Sequence, residues 1–138
     1  MDTIENTTMN IPVLALRGLT IFPGCVLSFD VERDISIRAL ERAMERDQYI
    51  FLVAQREPGT GLPEERDLYA VGTLSLIRQI LRIGDASVRV IMEGKSRARL
   101  RRLWQTEPYL QGNVEPLREG RTRISEFQLE ALLRQTYA

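Results

Sequence analysis

The run Ile11 to Val31, IPVLALRGLTIFPGCVLSFDV, constrains this chain more than any other segment, because nearly every residue in it is apolar or a turn former. Pro12, Leu14 and Leu16 alternate with Ile11, Val13 and Ala15, so a strand here has two apolar faces and little contact with water. A strand buried on both sides is the expected product. Arg17-Gly18, a short apolar patch from Leu19 to Phe22 and a Pro23-Gly24 hinge come next. Leu27, Phe29 and Val31 then alternate with Val26, Ser28 and Asp30, the pattern of a half-buried strand.

Arg33 to Arg46 reads as a helix, with Ile37, Leu40, Ala43 and Met44 on one stripe and Arg38, Glu41, Arg42, Glu45 and Arg46 on the opposite arc. Asp34 suits the positive end of the helix dipole. Ile35 falls among the charges, as an exposed isoleucine on the outer face. Tyr49 to Ala54 is an unbroken apolar strand, and REPGTGLPEERD from Arg56 to Asp67 is a surface loop rich in Pro, Gly and charge. Val71 to Ile83 and Ala86 to Leu103 form a hairpin turning at Gly84-Asp85, and Tyr109 to Leu117 is a last strand. Residues 1–10 read as a flexible arm, 11–117 as the β domain, and 118–138 as a linker and helix. That helix opens on Ser125-Glu126-Phe127-Gln128, a capping box, with Leu129, Leu132, Leu133 and Tyr137 along one side. A helix of that length is marginal alone in water and needs a surface to lean on, which makes it a candidate assembly element.

The chain of 138 residues is long enough for one domain with a proper core. Its 19 basic and 19 acidic residues cancel, so no global field draws it to nucleic acid or to an anionic membrane. A single cysteine, Cys25, excludes an internal disulfide and fits a reducing compartment, with the cytoplasm the simplest home. The first ten residues lack the apolar core and basic flanks of a secretory signal, and no apolar run is long enough to span a bilayer. There is no histidine, and Lys95 is the only lysine. Ser/His and Cys/His nucleophilic arrangements and histidine metal sites are therefore impossible within the chain. No cofactor and no catalytic residue are expected.

Gly94-Lys95-Ser96 has the ending of a phosphate-binding loop, but Arg89 stands where the first glycine is needed, and a strand bend at Gly94 is the better reading. Lys95 and Ser96 are neighbours on a strand and cannot meet as a Ser/Lys pair. Arg97, Arg99 and Arg101 share one strand face near Trp104 and Tyr109, an arrangement that can track RNA or lie in solvent paired with Asp and Glu of adjacent strands. Trp104 itself reads as a core or edge anchor. Leu19, Ile21 and Phe22 are either plugs of the core or an exposed apolar patch able to hold extended chains weakly.

Taken together, IPVLALRGLTIFPGCVLSFDVERDIS, IRALERAM at 37 to 44, IFLVAQREP at 50 to 58, DLYAVGT at 67 to 73 and VRVIMEGKSRARL at 88 to 100 resemble, in order, the N-terminal substrate-binding domain of the ATP-dependent Lon proteases. The resemblance covers about residues 11 to 117. It departs at Glu32, Ile35, Gly84-Asp85-Ala86 and Lys95, where the family tends to glycine, lysine, Pro-Asp-Gly and leucine. Periodicity alone gives an α+β, strand-dominated domain with one helix and a second terminal helix. The resemblance implies a six-stranded, PUA-like pseudo-barrel around one helix, followed by the first helix of a helical bundle. It further implies a non-catalytic module that binds unfolded or degron-bearing proteins and is joined to ATPase and Ser/Lys peptidase domains in a homo-oligomer. The substrate-binding candidates are Leu19, Ile21, Phe22, Arg33, Asp34, Ile35 and Arg38. The alternative is an RNA-binding PUA-like module using the Arg97 to Arg101 face, because similar pseudo-barrels occur in RNA-modification proteins. Partners other than proteins, membrane above all, are not expected.

Overall fold

The computed structural model describes residues 8–17, 21–57, 59 and 63–117, and builds them as six strands and one α-helix. In chain order these are β1 (Met9–Leu16), β2 (Val26–Val31), α1 (Asp34–Met44), β3 (Tyr49–Ala54), β4 (Val71–Arg82), β5 (Val88–Gln105) and β6 (Gln111–Pro116), with a 3-10 turn at Glu65–Asp67. The result is a mostly-sheet α+β architecture.

One strand closes the sheet on itself. The strand order is β2-β5-β4-β3-β1-β6, and β5 also pairs with β6. At 18 residues β5 is long enough to serve two partners along one edge: Val88 to Glu93 pair with β2, and Ala98 to Gln105 pair with β6. Its other edge runs antiparallel to β4. Strands β5, β4, β3, β1 and β6 therefore form a ring, with β2 attached beside it. All pairings are antiparallel except β1 with β3.

Ring closure explains why residues 11–16 of β1 and the whole of β3 are apolar. Ile11, Val13, Ala15, Phe51 and Val53 face one core together with Leu74, Ala98, Leu103 and Val114 from the other ring strands. Leu14, Leu16, Ile50 and Leu52 face a second core with Val31, Ile77, Val90, Met92 and the helix. A strand buried on both faces has no place for polar residues, as the sequence pattern implied. Each large side chain so enclosed, Phe51 or Leu14 for instance, contributes about 1.5–3 kcal/mol by leaving water. The first strand also begins earlier than Ile11: Met9 and Asn10 already pair with Val114 and Asn113.

The helix lies against the faces of β1 and β3 that carry Leu14, Leu16, Ile50 and Leu52, opposite to the ring interior, so the ring packs beside the helix instead of around it. Of the stripe read in the sequence, Leu40 and Ala43 are buried and Ile37 packs on the same core, and the stripe is rotated only at its edge. Ser36, Ala39, Leu40 and Ala43 are buried, while Met44 is 41% exposed. Small residues win the contact because they let the helix approach the sheet closely, and the larger Met44 is turned outward. Ile35 is also corrected: it is half-buried and packs on the ring core. At the far end Gln48 takes a left-handed backbone (φ 70), held by its amide bond to Ala43 O, its Nε2 bond to Ile77 O and the Ile77 N–H bond to its own carbonyl. Those bonds turn the chain directly into β3. The helix expected within residues 118–138, with Leu129, Leu132, Leu133 and Tyr137, lies outside the described residues.

A bulge marks β5 where the sequence shows Gly94. Leu74 pairs with Ser96 and Ser75 with Gly94, which leaves Lys95 as the extra residue. Glycine is needed here by contact: a Cβ on Gly94 would collide with the carbonyl of Phe22. The turn Phe22 to Cys25 sits against this point, with Gly24 N–H donating to Gly94 O and Gly94 N–H to Cys25 O, both at 2.8 Å. Gly24 supplies the positive φ (88) that the turn requires.

Candidate recognition clefts at the end of the first strand

Several open clefts border the chain where β1 ends, and two of them, one lined by Leu16 and the other by Arg17, lie beside most of the residues singled out in the sequence. The first is about 590 Å³, and its floor is apolar: Leu16, Ile21, Leu52, Ala54 and Val71. Ile21 is only 4% exposed and is anchored by the Thr73 hydroxyl, which donates to its carbonyl at 2.8 Å. Phe22, the next residue, is 46% exposed. The patch read from the sequence is thus split: Ile21 plugs the core and Phe22 projects from it. Leu19 lies outside the described residues.

Two arginines cap this cleft, each stacked on an exposed aromatic ring. The Arg97 guanidinium sits 5.7 Å from the centre of Phe22, and the Arg56 guanidinium 4.9 Å from Tyr69. Both pairs are set by backbone. Arg97 is the register partner of Thr73, which holds Ile21. Arg56 and Tyr69 flank the Gln55–Leu68 bridge, where Arg56 N–H donates to Asp67 O and Tyr69 N–H to Ala54 O. Neither guanidinium meets a carboxylate among the described residues. Sequence reading missed Arg56 and Tyr69, and no local signal would have found them, since each stack joins residues far apart in the chain. Gly72 underlies the same cleft, where a Cβ would strike the Leu52 carbonyl.

The second cleft, about 600 Å³, gathers three of the predicted residues, Arg33, Asp34 and Ile35, with Arg17, Pro63, Glu64, Thr106, Glu107 and Pro108. Arg33 is half-buried and its Nη2 donates to Ala15 O at 2.8 Å. Burial, and then the charge of Arg17, push its pKa below the usual guanidinium range. Arg38 stands one turn along α1 and bonds Asp34 at 2.8 Å, so it presents a neutralised pair and not a bare cation. The predicted residues thus fall into two groups, one at each cleft.

The arginine face of β5 is not one open row. Arg97 stacks on Phe22, and Arg101 pairs with Glu115 at 3.3 Å. Trp104 is 49% exposed at the edge, its Nε1 donating to Asn10 Oδ1 at 3.2 Å, so of the two roles read for it the core is excluded. Gly94-Lys95-Ser96 lies inside a continuous strand, and Lys95 pairs with Glu93 at 3.2 Å. On the neighbouring half of β5, Arg89 bonds Asp30 at 2.8 Å and holds that carboxyl below its ordinary value. The Lys95 hydrogen bond, with the charge of Arg78, likewise lowers Glu93 against the opposing effect of burial. Among the described residues no helix is long and apolar enough to cross a membrane.

Comparison with known proteins gives one consistent result. Residues 10–138 match the family model described as the ATP-dependent protease La (LON) substrate-binding domain. The chain is 42% identical over 135 residues to a Lon protease of Syntrophomonas wolfei, covering 97% of this chain and 16% of the relative. It is 40% identical over 124 residues to a Lon protease of Clostridium acetobutylicum, covering 90% and 16%. The chain thus spans about 16% of the length of these relatives. In fold it is similar to the N-terminal domain of a Mycobacterium avium complex Lon protease (TM-score 0.65, 20% identity, 80% of this chain and 56% of that one). A Lon N-terminal domain protein of Xanthomonas campestris is similar too (TM-score 0.61, 15% identity, 80% and 60%). Matched from residue 10 to residue 138, with relatives of this identity along most of its length, the chain belongs to the Lon substrate-binding domain family.

Proposed function

We propose that this chain is the recognition part of an ATP-dependent Lon-type protease, holding unfolded or degron-bearing proteins for the enzyme without making or breaking bonds itself. The observation that carries this reading is the first cleft: an apolar floor with the exposed Tyr69 ring in its lining and the exposed Phe22 ring beside it under Arg97, on a closed ring of strands, in a member of a substrate-binding family. Exposed apolar surface on a scaffold that does not yield is suited to gripping extended chains with little sequence preference. Ile21 and Phe22 at this cleft, and Arg33, Asp34, Ile35 and Arg38 at or beside the second, are the proposed contacts, with Leu19 as a sequence-based candidate. ATPase and peptidase segments of the same protease are the proposed covalent partners, a homo-oligomer the proposed assembly and the cytoplasm the proposed location. Leu129, Leu132, Leu133 and Tyr137 are proposed to support that assembly.

The test is binding of the 138-residue chain to one protein in denatured and in folded form. Clear preference for the denatured form supports recognition of unfolded clients; equal or absent binding to both removes it. RNA binding is disfavoured by the stacking of Arg97, the pairing of Arg101 and the family match. Mass measurement in solution, with and without Leu132→Asp and Leu133→Asp, tests the assembly role.

A further inference from the structure

Arg56 and Arg97 stand out in a chain with equal numbers of acidic and basic residues. They line one cleft, each lies on an aromatic face, and neither is neutralised by a carboxylate among the described residues. Several other charges of the sheet are paired, Asp30 with Arg89, Glu93 with Arg78 and Lys95, Glu115 with Arg101; Arg82, Arg99 and Arg102 have no ion pair among the described residues, but none of them lines this cleft. We infer that the first cleft is selective, taking extended client segments in which an apolar side chain is followed or preceded by a carboxylate.

The apolar residue would sit on the floor of Ile21, Leu52 and Val71, and the carboxylate would meet a guanidinium that already lies over an aromatic ring. Guanidinium groups suit this role because their fork of donors matches a carboxylate, and stacking removes rotamer freedom before the client arrives. A cleft so built rejects lysine and arginine by like-charge contact, so specificity comes from repulsion as much as attraction. A nucleic acid occupant fits less well, since both rings carry their own guanidinium and are not bare platforms for bases.

This inference rests on the recognition role proposed above, and its test separates the two. Anisotropy titrations of the 138-residue chain would use a labelled unstructured peptide with a central Leu-Phe flanked by aspartates, and a second with lysines in their place. The expected result is about fivefold tighter binding of the acidic peptide at low salt, the scale of a pair of partly exposed ion pairs. That preference disappears in Arg56→Gln/Arg97→Gln, shown to be folded by its circular dichroism, and survives in Arg82→Gln, an exposed arginine at the other end of β4. Equal affinity for the two peptides overturns the inference, as does a preference that persists in the double variant. Displacement of the acidic peptide by a single-stranded oligonucleotide at equal concentration also overturns it, in favour of a nucleic acid site. If any of these occurs while denatured protein is still bound, the recognition role stands and only the assignment of this cleft falls; loss of denatured-protein binding removes both.

Discussion

Along the first half of β5, Arg89 bonds Asp30 across β2 and Glu93 lies between Arg78 and Lys95, whereas along the second half Arg97 rests on the Phe22 ring. The two halves differ in sequence: residues 88 to 95 carry Arg89, Glu93 and Lys95, whereas the charged residues of 96 to 105 are all arginines. The neighbour on the far edge adds to that difference, since Arg101 finds Glu115 on β6 while Arg97 has no strand beside it. Residues 88 to 93 have β2 as partner and residues 98 to 105 have β6, but the stretch between them has no strand on that side. The Phe22–Cys25 turn and the Leu117 N–H bond to Arg97 O fill the gap. A strand neighbour supplies side chains in register to neutralise charge. A turn supplies backbone bonds and, here, an aromatic ring. The cleft therefore forms where the sheet changes partner.

The strongest way to break this contrast is to push the turn away. Gly94→Ala drives a Cβ into Phe22 O and to 2.9 Å from Phe22 C, both backbone atoms that cannot swing aside. A loss of about 1–3 kcal/mol in urea unfolding is expected, the usual cost of overpacking, with weaker client binding because Phe22 is displaced. Gly84→Ala, at the hairpin tip between β4 and β5, meets only Ser87 Cβ at 3.9 Å and is expected to change stability by no more than about 0.5 kcal/mol. Equal effects at the two glycines would contradict the close approach. Phe22→Ala comes next in size. The ring is largely outside the core, so stability should shift by about 1 kcal/mol or less, while affinity for denatured protein falls about fivefold. A stability loss without a binding loss would make Phe22 a structural prop only.

How much of this was readable beforehand depends on whether a feature is local. The doubly apolar pattern of residues 11 to 16 and of Tyr49 to Ala54 placed both strands, because burial on two faces leaves its mark within one segment. The hairpin turn near Gly84-Asp85 was readable for the same reason, and the Ile83 N–H bond to Ser87 O closes it. Periodicity gives the helix but not its full rotation, since residue size at the β1 and β3 contact, not hydrophobicity alone, decides that Ala39 goes in and Met44 stays out. Helical spacing alone puts Ile35 outside, because the ring core it touches is built from strands spread along the whole chain. Family resemblance supplied the domain type, but the two arginine stacks depend on tertiary register and left no trace in spacing.

The smallest effect is electrostatic and again divides the two halves of β5. Hydrogen bonding from Arg89 keeps Asp30 below its ordinary 3.8, and hydrogen bonding from Lys95 with the charge of Arg78 keeps Glu93 below its ordinary 4.5. In both cases the folded carboxyl is the stronger acid, so between the folded and unfolded values the unfolded chain holds more protons. The stabilisation is therefore complete above the ordinary values and is lost as pH falls through the depressed folded ones. Urea midpoints should be flat from neutral pH down to about 5 and then decline, with a shallower decline in Asp30→Asn/Glu93→Gln. Arg97→Gln should leave the slope unchanged, because Arg97 faces a ring and no titrating carboxyl among the described residues. A change in slope from Arg97→Gln would reveal an acidic partner at the cleft, and the charge that clients are proposed to supply would then come from the chain itself.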